Sequence, residues 1–574
     1  MEINMEINME INIKKNKYNQ TIKTECGLIG VFTIDLDNTI TSRRLLYDSL
    51  LKIQHRGQDS FGYVLLDDIT RNNNLVIKET GLLHGFDEFT HYISSKKMGN
   101  IFLGHMRYST NTLHETQEND PNIQPIEISK VNNMYLAHNG NLPQLEINIP
   151  ILKEKLKKSY SQSIHLLEHT KGLSDTYLFR KIWDVMMYEK QQASLKITLE
   201  DVKIFVKWII NNISGAYSCI LTFQDTSTLE TDSTNLLESF TSLDSSVSSY
   251  TDLGLSSSGT GKYYMIGFRD RYGYKPLSIG KIGNQYCFFS ETVQIPVHYV
   301  NPVSQVCPMN GFIKDVEAGE IWVTCDNSEP QLMDWFELSS SDENELTNYL
   351  CSMEPIYFMK KDSLLFNGLI TVDQFRIKLG SQLAKQDQEN KKQYNYKLEI
   401  VGIPESAISI AKGYAQELGL EVNTNLILKV ENIRSFIEST DEARQGKLKR
   451  KFAFNIEDIK RTHEIILIDD SLVRGNTMKY LIETLYEINP LIKIHIRIAC
   501  PKLIKGCHFG IDLYENELLA TKPYSHDLSK YFKIESIMFL EIARLTEIFK
   551  YYDSNHCTWC YGEIKPCNTK VLEW

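Results

Sequence analysis

Two adjacent carboxylates, Asp469 and Asp470, follow the apolar run Ile465–Ile468 and lead straight into the turn Ser471-Leu-Val-Arg-Gly-Asn-Thr477. The apolar run is short, continuous and β-branched, as in a strand buried on both faces of a parallel sheet, while Met478 onward has helical spacing. The turn therefore sits at the carboxyl end of a strand. Its backbone N–H groups and the following helix N-terminus can hold a phosphate, and the two carboxylates can accept hydrogen bonds from ribose hydroxyls or approach a metal-bound pyrophosphate. The run has neither the Gly-Lys-Ser/Thr of a Walker loop nor the spaced glycines of a dinucleotide fold.

The loop resembles the signature of the type I phosphoribosyltransferases, which bind 5-phosphoribosyl-1-pyrophosphate (PRPP) with magnesium. That resemblance implies PRPP contacts from Asp469, Asp470, Ser471, Arg474, Gly475, Asn476 and Thr477. A second strand-to-helix junction, Val401-Gly-Ile-Pro-Glu-Ser-Ala407, resembles the pyrophosphate-side loop of the same family. It adds Ser406 to Asp469 and Asp470 as a ligand of Mg²⁺, a cation suited to hard oxygen donors. By local sequence alone Ser406 is equally a helix N-cap.

A further set of residues lies in the N-terminal half. Cys26-Gly-Leu-Ile-Gly30 is followed in order by His55-Arg-Gly-Gln-Asp-Ser60, Gly104-His-Met-Arg-Tyr-Ser-Thr110, Ala137-His-Asn-Gly-Asn-Leu142 and Ser174-Asp-Thr176. Taken singly, Cys26 is a small core residue, Asn139-Gly140 a hairpin corner, and Arg107 and Asp175 surface charges. In this order and spacing they resemble the class II glutamine amidotransferases, whose nucleophile is an N-terminal cysteine. The resemblance makes Cys26 the nucleophile, with the Asn139 side chain and the Gly140 N–H as oxyanion donors. Arg107 would hold the glutamine α-carboxylate and Asp175 the α-ammonium. Because an α-amine titrates near neutrality, at about 7.7–8.0, it can take the thiol proton where a peptide nitrogen cannot. Residues 1–25 are therefore expected to be removed before Cys26 works.

Phe268-Arg-Asp-Arg-Tyr-Gly-Tyr-Lys-Pro-Leu277 and Ser290-Glu291 extend the likeness, so that the chain from Glu25 onward resembles the glutamine phosphoribosylpyrophosphate amidotransferase family. The implied reaction is glutamine + PRPP + H₂O to 5-phosphoribosylamine + glutamate + pyrophosphate, the first step of purine (IMP) biosynthesis. The ammonia is expected to travel by a closed path, because in bulk water most of it would become ammonium. Purine nucleotides as feedback inhibitors and a homotetramer or homodimer are also implied. One segment departs from the family pattern. Where the family has Lys-Asn-Arg-Tyr-Val-Gly-Arg-Thr-Phe-Ile, this chain has Lys429-Val-Glu-Asn-Ile-Arg-Ser-Phe-Ile437, one residue shorter and with an added glutamate. Lys449 also replaces a usual arginine, keeping charge but losing bidentate phosphate geometry.

Cys557-Thr-Trp-Cys560 offers two thiolates one turn apart, and a lone pair of this kind needs two more ligands from elsewhere. Cys351 and Cys507 stand in the two other cysteine motifs of the iron–sulfur subgroup of the family. The resemblance therefore implies a [4Fe-4S] cluster on Cys351, Cys507, Cys557 and Cys560, structural because the transfer is not redox chemistry; zinc in a Cys₄ site is the alternative. Cys219, Cys287 and Cys500 lie in apolar strands and are expected in the core, and Cys567 is a non-ligand.

The elements that must position these residues can be sketched from pattern. At 574 residues, with 42% hydrophobic and 24% charged residues, the chain can form two substantial cores. A net charge of −11 argues against nucleic-acid or anionic-membrane partners. The opening MEINMEINMEIN has no continuous apolar core and so is neither a secretory signal nor a membrane helix, and no later run is long enough to span a bilayer. Eleven scattered cysteines without an export signal point to the cytoplasm. Residues 26–345 read as an α+β glutaminase domain of the N-terminal-nucleophile (αββα) class, with helical patterns around 43–54 and 174–190. Within it, 224–261 is a Ser-rich insertion expected to be disordered. Residues 346–574 alternate strands with helices and read as an α/β domain with a parallel sheet.

Two rival readings remain. The amidotransferase half could serve another acceptor, as in glucosamine-6-phosphate synthase or asparagine synthetase, which the Asp469-Asp470 loop disfavours. The chain could also be an inactive regulatory relative, as the altered 429–437 segment would allow.

Overall fold

The computed structural model describes residues 26–32, 40–66, 74–94, 101–108, 120–142, 145–167, 174–225, 262–282, 285–295, 311–326, 328–335, 349–390, 398–430, 452–507, 509–511 and 513–563. The leader, the Ser-rich insertion, most of the 429–451 segment, and Cys567 lie outside them. The chain divides into two compact units, one over Glu25–Leu346 and the other over Thr347–Trp574.

The first unit is built on two antiparallel sheets. One contains β1 (Gly27–Phe32), β2 (Ser60–Leu66), β3 (Leu75–Thr80), β4 (Ile101–Arg107), β9 (Ser278–Ile282), β10 (Gln285–Phe289) and β11 (Phe312–Asp315), in the order β11-β9-β10-β1-β4-β2-β3. The other contains β5 (Ile126–Ser129), β6 (Met134–Asn141), β7 (Ala216–Asp225), β8 (Lys262–Arg269), β12 (Glu320–Cys325) and β13 (Gln331–Trp335), in the order β13-β12-β8-β7-β6-β5.

Alternation along the strands sends one face of each sheet inward. Leu28, Phe32, Val64 and Leu103 of the first sheet pack with Tyr135, Ala137, Ile220 and Met265 of the second. The outer faces are covered by helices. Ile40–Ile53 and Phe86–Ser94 lie on the first sheet, and Tyr177–Gln192 and Leu199–Asn212 on the second. The result is the expected helix–sheet–sheet–helix layering. A side chain at Gly30 would meet Met265 Sδ at 2.6 Å and Ile220 Cγ2 at 2.8 Å, so this glycine sets how closely the sheets approach. The helix expected from 174 begins only at Tyr177, because Ser174–Thr176 form a turn whose N–H groups bond to side chains.

In the second unit β14 (Tyr349–Cys351) pairs with β23 (Asn555–Cys557), β15 (Leu364–Leu365) with β16 (Ile370–Thr371), and β18 (Ile427–Lys429) with β19 (Phe452–Phe454). The main sheet contains β17 (Leu398–Gly402), β20 (Glu464–Asp469), β21 (Lys493–Ile498) and β22 (Ser536–Phe539) in that order, all parallel. Ile465 to Ile468 are completely buried, as a strand covered on both faces requires. Helices Val372–Glu389 and Ala407–Glu417 pack backbone against backbone, since a Cβ at Gly413 would lie 1.8 Å from the Ile377 carbonyl. No described helix is long and apolar enough to cross a membrane.

Candidate functional sites

Cys26 immediately precedes β1, half-buried, with its thiol 4.0 Å from the Tyr108 carbonyl oxygen. Burial pushes the thiol up to about 11, against the pull of the Tyr108 contact and of the Arg107 and Arg56 charges, while Asp175 adds to the rise. These groups share one neighbourhood although they come from three distant motifs. The Cys26 carbonyl accepts a 2.9 Å hydrogen bond from Arg56 Nε, and Arg56 pairs with Glu291 at 2.6 Å. His55 Nε2 meets the same Glu291 oxygen at 2.9 Å. Burial alone would raise this carboxyl, but the His55 and Arg56 charges outweigh it and hold it well below the usual carboxylate range. Leu28 N–H bonds to Ser290 Oγ at 3.0 Å, so both ends of the short segment Cys26–Leu28 are fastened to residues 290–291. The anchoring of Cys26 by Arg56 and Glu291 was not assigned from sequence; only the motif order hinted at it.

Arg107 ends β4 and is 7% exposed, so it is no surface charge. Its guanidinium pairs with Asp120 at 3.2 Å. Asp175 accepts from the N–H groups of Leu142, at 2.8 Å, and Thr176, at 2.9 Å. Asn139 and Gly140 do not form a hairpin corner. They lie within β6, opposite Ser218 and Tyr217 of β7. A Cβ at Gly140 would lie 2.0 Å from the Ala216 carbonyl oxygen, a backbone clash no rotamer relieves. Asn139 is wholly buried, and neither its Oδ1 nor its Nδ2 has a partner among the described residues. Buried amides are almost always paired within the protein, and an exception of this kind points to a group completed by a ligand.

In the second unit Asp469 and Asp470 stand where the strand prediction placed them, at the carboxyl end of β20. Asp470 is 4% exposed, and burial raises its carboxyl above the ordinary value despite hydrogen bonds from Ser406 and Ser471 and the charge of Arg376. Ser406 is already helical and makes no side-chain cap; its hydroxyl donates to Asp470 instead. The two strand-end loops thus meet through the Ser406 hydroxyl and the Asp470 carboxylate. The Asp470 N–H is held by Asp469 Oδ1 at 2.9 Å, and Ser471 Oγ donates to Asp470 Oδ1 at 2.8 Å. Gly475, with φ +79°, turns the chain into the helix Asn476–Ile488, leaving the N–H groups of Asn476 and Thr477 at its first turn. Arg474 pairs with the buried Glu517. Lys429, before the divergent segment, reaches Glu405 at 3.3 Å.

Cys351, Cys507, Cys557 and Cys560 lie in one neighbourhood. Cys351 and Cys557 are register partners in the parallel pair β14 and β23. Burial raises the Cys560 thiol far above its ordinary value, and Cys557, Cys500, Cys507 and Cys351 all act on it in the same direction. The Phe509 and Ile511 N–H groups point at Cys507 Sγ, at 3.3 and 3.5 Å, an arrangement that stabilises a thiolate. Among the described residues, however, no group of three or more His, Cys, Asp or Glu side chains is drawn into a ready metal-binding arrangement. Donor type suits an iron–sulfur or zinc centre, and the thiols are neighbours without being closed on a common point. Cys219, Cys287 and Cys500 are core residues as expected.

A family pattern described as "Phosphoribosyl transferase domain" matches residues 375–505. An amidophosphoribosyltransferase of Archaeoglobus fulgidus is 27% identical over 525 residues, covering 91% of this chain and 93% of the relative. One from Bacillus subtilis is 26% identical over 543 residues, covering 94% and 93%. Among solved structures, the glutamine PRPP amidotransferase of B. subtilis complexed with ADP and GMP superimposes with a TM-score of 0.66 at 24% identity, covering 94% of this chain and 97% of the other. A structure described as the allosteric regulatory enzyme of purine biosynthesis gives the same TM-score and identity, covering 95% and 98%. The fold is thus a glutaminase unit joined to a phosphoribosyltransferase unit.

Proposed function

We infer that this chain is a glutamine-dependent amidophosphoribosyltransferase, making 5-phosphoribosylamine, glutamate and pyrophosphate from glutamine, PRPP and water at the first step of purine biosynthesis. The observation that carries the inference is the neighbourhood of Cys26, Arg107 and Asp175 in a chain whose other unit joins Ser406 to Asp470 at the ends of parallel strands. The first gathers one partner for each charged end of glutamine around a nucleophile. The second supplies oxygen donors beside helix-terminal N–H groups, as a sugar pyrophosphate requires.

In the working enzyme the leader 1–25 is removed. Freeing the Cys26 nitrogen supplies a base for the thiol. While protonated, the new amine also places a positive charge beside it, opposing the burial that holds it near 11. Arg107 and Asp175 bind the α-groups of glutamine, and the thiolate attacks its amide carbon. The oxyanion then receives hydrogen bonds from Asn139 Nδ2 and the Gly140 N–H, the C–N bond breaks as ammonia leaves with a proton from the N-terminus, and water hydrolyses the resulting glutamyl thioester to glutamate and the free Cys26 thiol. In the other unit Asp469, Asp470, Ser471, Arg474, Gly475, Asn476 and Thr477 hold PRPP. Ser406, Asp469 and Asp470 would hold Mg²⁺, which neutralises pyrophosphate charge. Arg474 reaches the ligand from its pairing with Glu517.

Cys351, Cys507, Cys557 and Cys560 would hold a structural [4Fe-4S] cluster, which would supply a cross-link between the paired strands β14 and β23. Purine nucleotides inhibit the enzyme, which assembles as a homotetramer or homodimer in the cytoplasm. The test is glutamate release that depends on PRPP and disappears in Cys26→Ala, with ammonia-dependent phosphoribosylamine synthesis retained. An intact mass of the active protein should begin at Cys26. Full activity with the leader still attached would overturn the mechanism.

A further inference from the structure

We propose that the segment Asp120–Gln124 is the positioning element of the glutamine pocket, holding the groups that bind the two ends of the substrate at a fixed separation. This rests on the assignment of Arg107, Asp175 and Asn139 above. None of the five residues belongs to the motifs that carry that assignment, yet three of their side chains reach three different parts of the site. Asp120 Oδ2 takes the Arg107 guanidinium at 3.2 Å, while its Oδ1 accepts the Asn122 N–H at 2.9 Å. Asn122 Oδ1 accepts the Ser174 N–H at 2.6 Å, fixing the residue beside Asp175. Gln124 Oε1 accepts the His138 N–H at 2.6 Å, fixing the residue beside Asn139, and its Nε2 donates to Thr176 Oγ1 at 3.1 Å.

The segment is itself held rigidly. Gln124 is 4% exposed and Ile123 fully buried. Tyr177 donates to the Pro121 carbonyl at 3.0 Å. A Cβ at Gly62 of β2 would lie 2.2 Å from the Gln124 carbonyl oxygen, so that strand has no side chain where the segment crosses it. Arg107 ends a strand of one sheet, Asn139 lies in a strand of the other, and Asp175 sits in a turn before a helix. The segment bonds to all three places. Its consequence is a constrained spacing, with the groups for the α-end held through Asp120 and Asn122 and the amide end aligned through Gln124. Side chains one methylene shorter than glutamine would reach only one end at a time.

The two ends should separate kinetically. Asn122→Ala releases the α-end and should raise the KM for glutamine about tenfold or more, with kcat nearly unchanged. Gln124→Ala removes the bond to the His138 N–H beside Asn139 and should lower kcat about tenfold or more, with a smaller rise in KM from the lost Thr176 contact beside Asp175. Asn122→Asp keeps the acceptor for Ser174 N–H and should restore most of the lost affinity. Discrimination of glutamine against asparagine should fall in both alanine variants. Ammonia-dependent synthesis reports the integrity of the rest of the enzyme and should stay at the wild-type level. If Asn122→Ala fails to fold, the near-isosteric Asn122→Leu and Gln124→Met variants, which fill the space but lack the acceptor oxygens, carry the same comparison. Equal losses in kcat and KM for both positions, or no change in either, would overturn the proposal. Absence of glutamine-dependent turnover in the wild type would instead overturn the assignment of the site.

Discussion

Replacing Asn139 by alanine should damage catalysis severely while leaving the free protein as stable as before, or more so. The side chain is wholly buried with both polar atoms lacking a partner among the described residues. An unsatisfied buried amide costs about 1–3 kcal/mol, and its removal recovers that amount. The space vacated is roughly 40 Å³, which at about 24 cal/mol per Å³ costs on the order of 1 kcal/mol. The difference leaves the variant unchanged or up to about 2 kcal/mol more stable. During the reaction the balance reverses. Loss of one oxyanion donor should cut kcat for glutamine hydrolysis about 10²–10³-fold, or about 2.7–4 kcal/mol of transition-state binding. The assay is glutamate release at saturating PRPP, with ammonia-dependent synthesis as the internal control and the thermal midpoint of the ligand-free protein alongside. A fall in kcat of less than about tenfold would show that Asn139 is not an oxyanion donor. A clear loss of thermal stability would show that its amide is already bonded in the resting protein.

Asp470→Asn keeps shape but removes a charge beside the Ser406 and Ser471 hydroxyls, and should weaken magnesium-dependent PRPP binding at least about 100-fold by calorimetry while glutamine analogue binding stays normal. Glu291 is held below its ordinary value of 4.5, so the stability it contributes is fully present above that pH and is lost as pH falls through its folded value. Acid titration of the thermal midpoint should therefore steepen below about pH 4.5 in the wild type and flatten in Glu291→Gln, which should also lose about 3–5 kcal/mol at neutral pH because Arg56 no longer faces this carboxylate. Protein purified without oxygen should be brown and contain iron and acid-labile sulfide, both absent from Cys351→Ser. A colourless, zinc-loaded and fully active enzyme would refute the cluster.

Local pattern was sufficient wherever a functional residue belongs to the element that presents it. The apolar run before Asp469 announced a strand buried on both faces, and the Ser/Gly/Asn/Thr run after it announced a turn into a helix, because both depend on backbone conformation and neighbouring residues alone. The order of short motifs around Cys26, Arg107 and Asp175 likewise singled out residues that the fold brings into one neighbourhood. Local composition also allowed Asn139, Gly140 and Ser406 plainer conformations that packing excludes. Asn139-Gly140 has the composition of a turn but is drawn into β6 by its pairing with β7, and Ser406 has the composition of a cap but gives its hydroxyl to Asp470. Only the tertiary structure decided the contacts between segments far apart in sequence: Arg56 with Glu291 beside Cys26, Cys351 beside Cys557, and the Asp120–Gln124 segment bonded to Arg107, Ser174 and His138. A hydrogen bond across such distances leaves no periodicity in either partner. It exists only once burial of the apolar faces has fixed where each strand lies, and so its residues look ordinary until the fold brings them together.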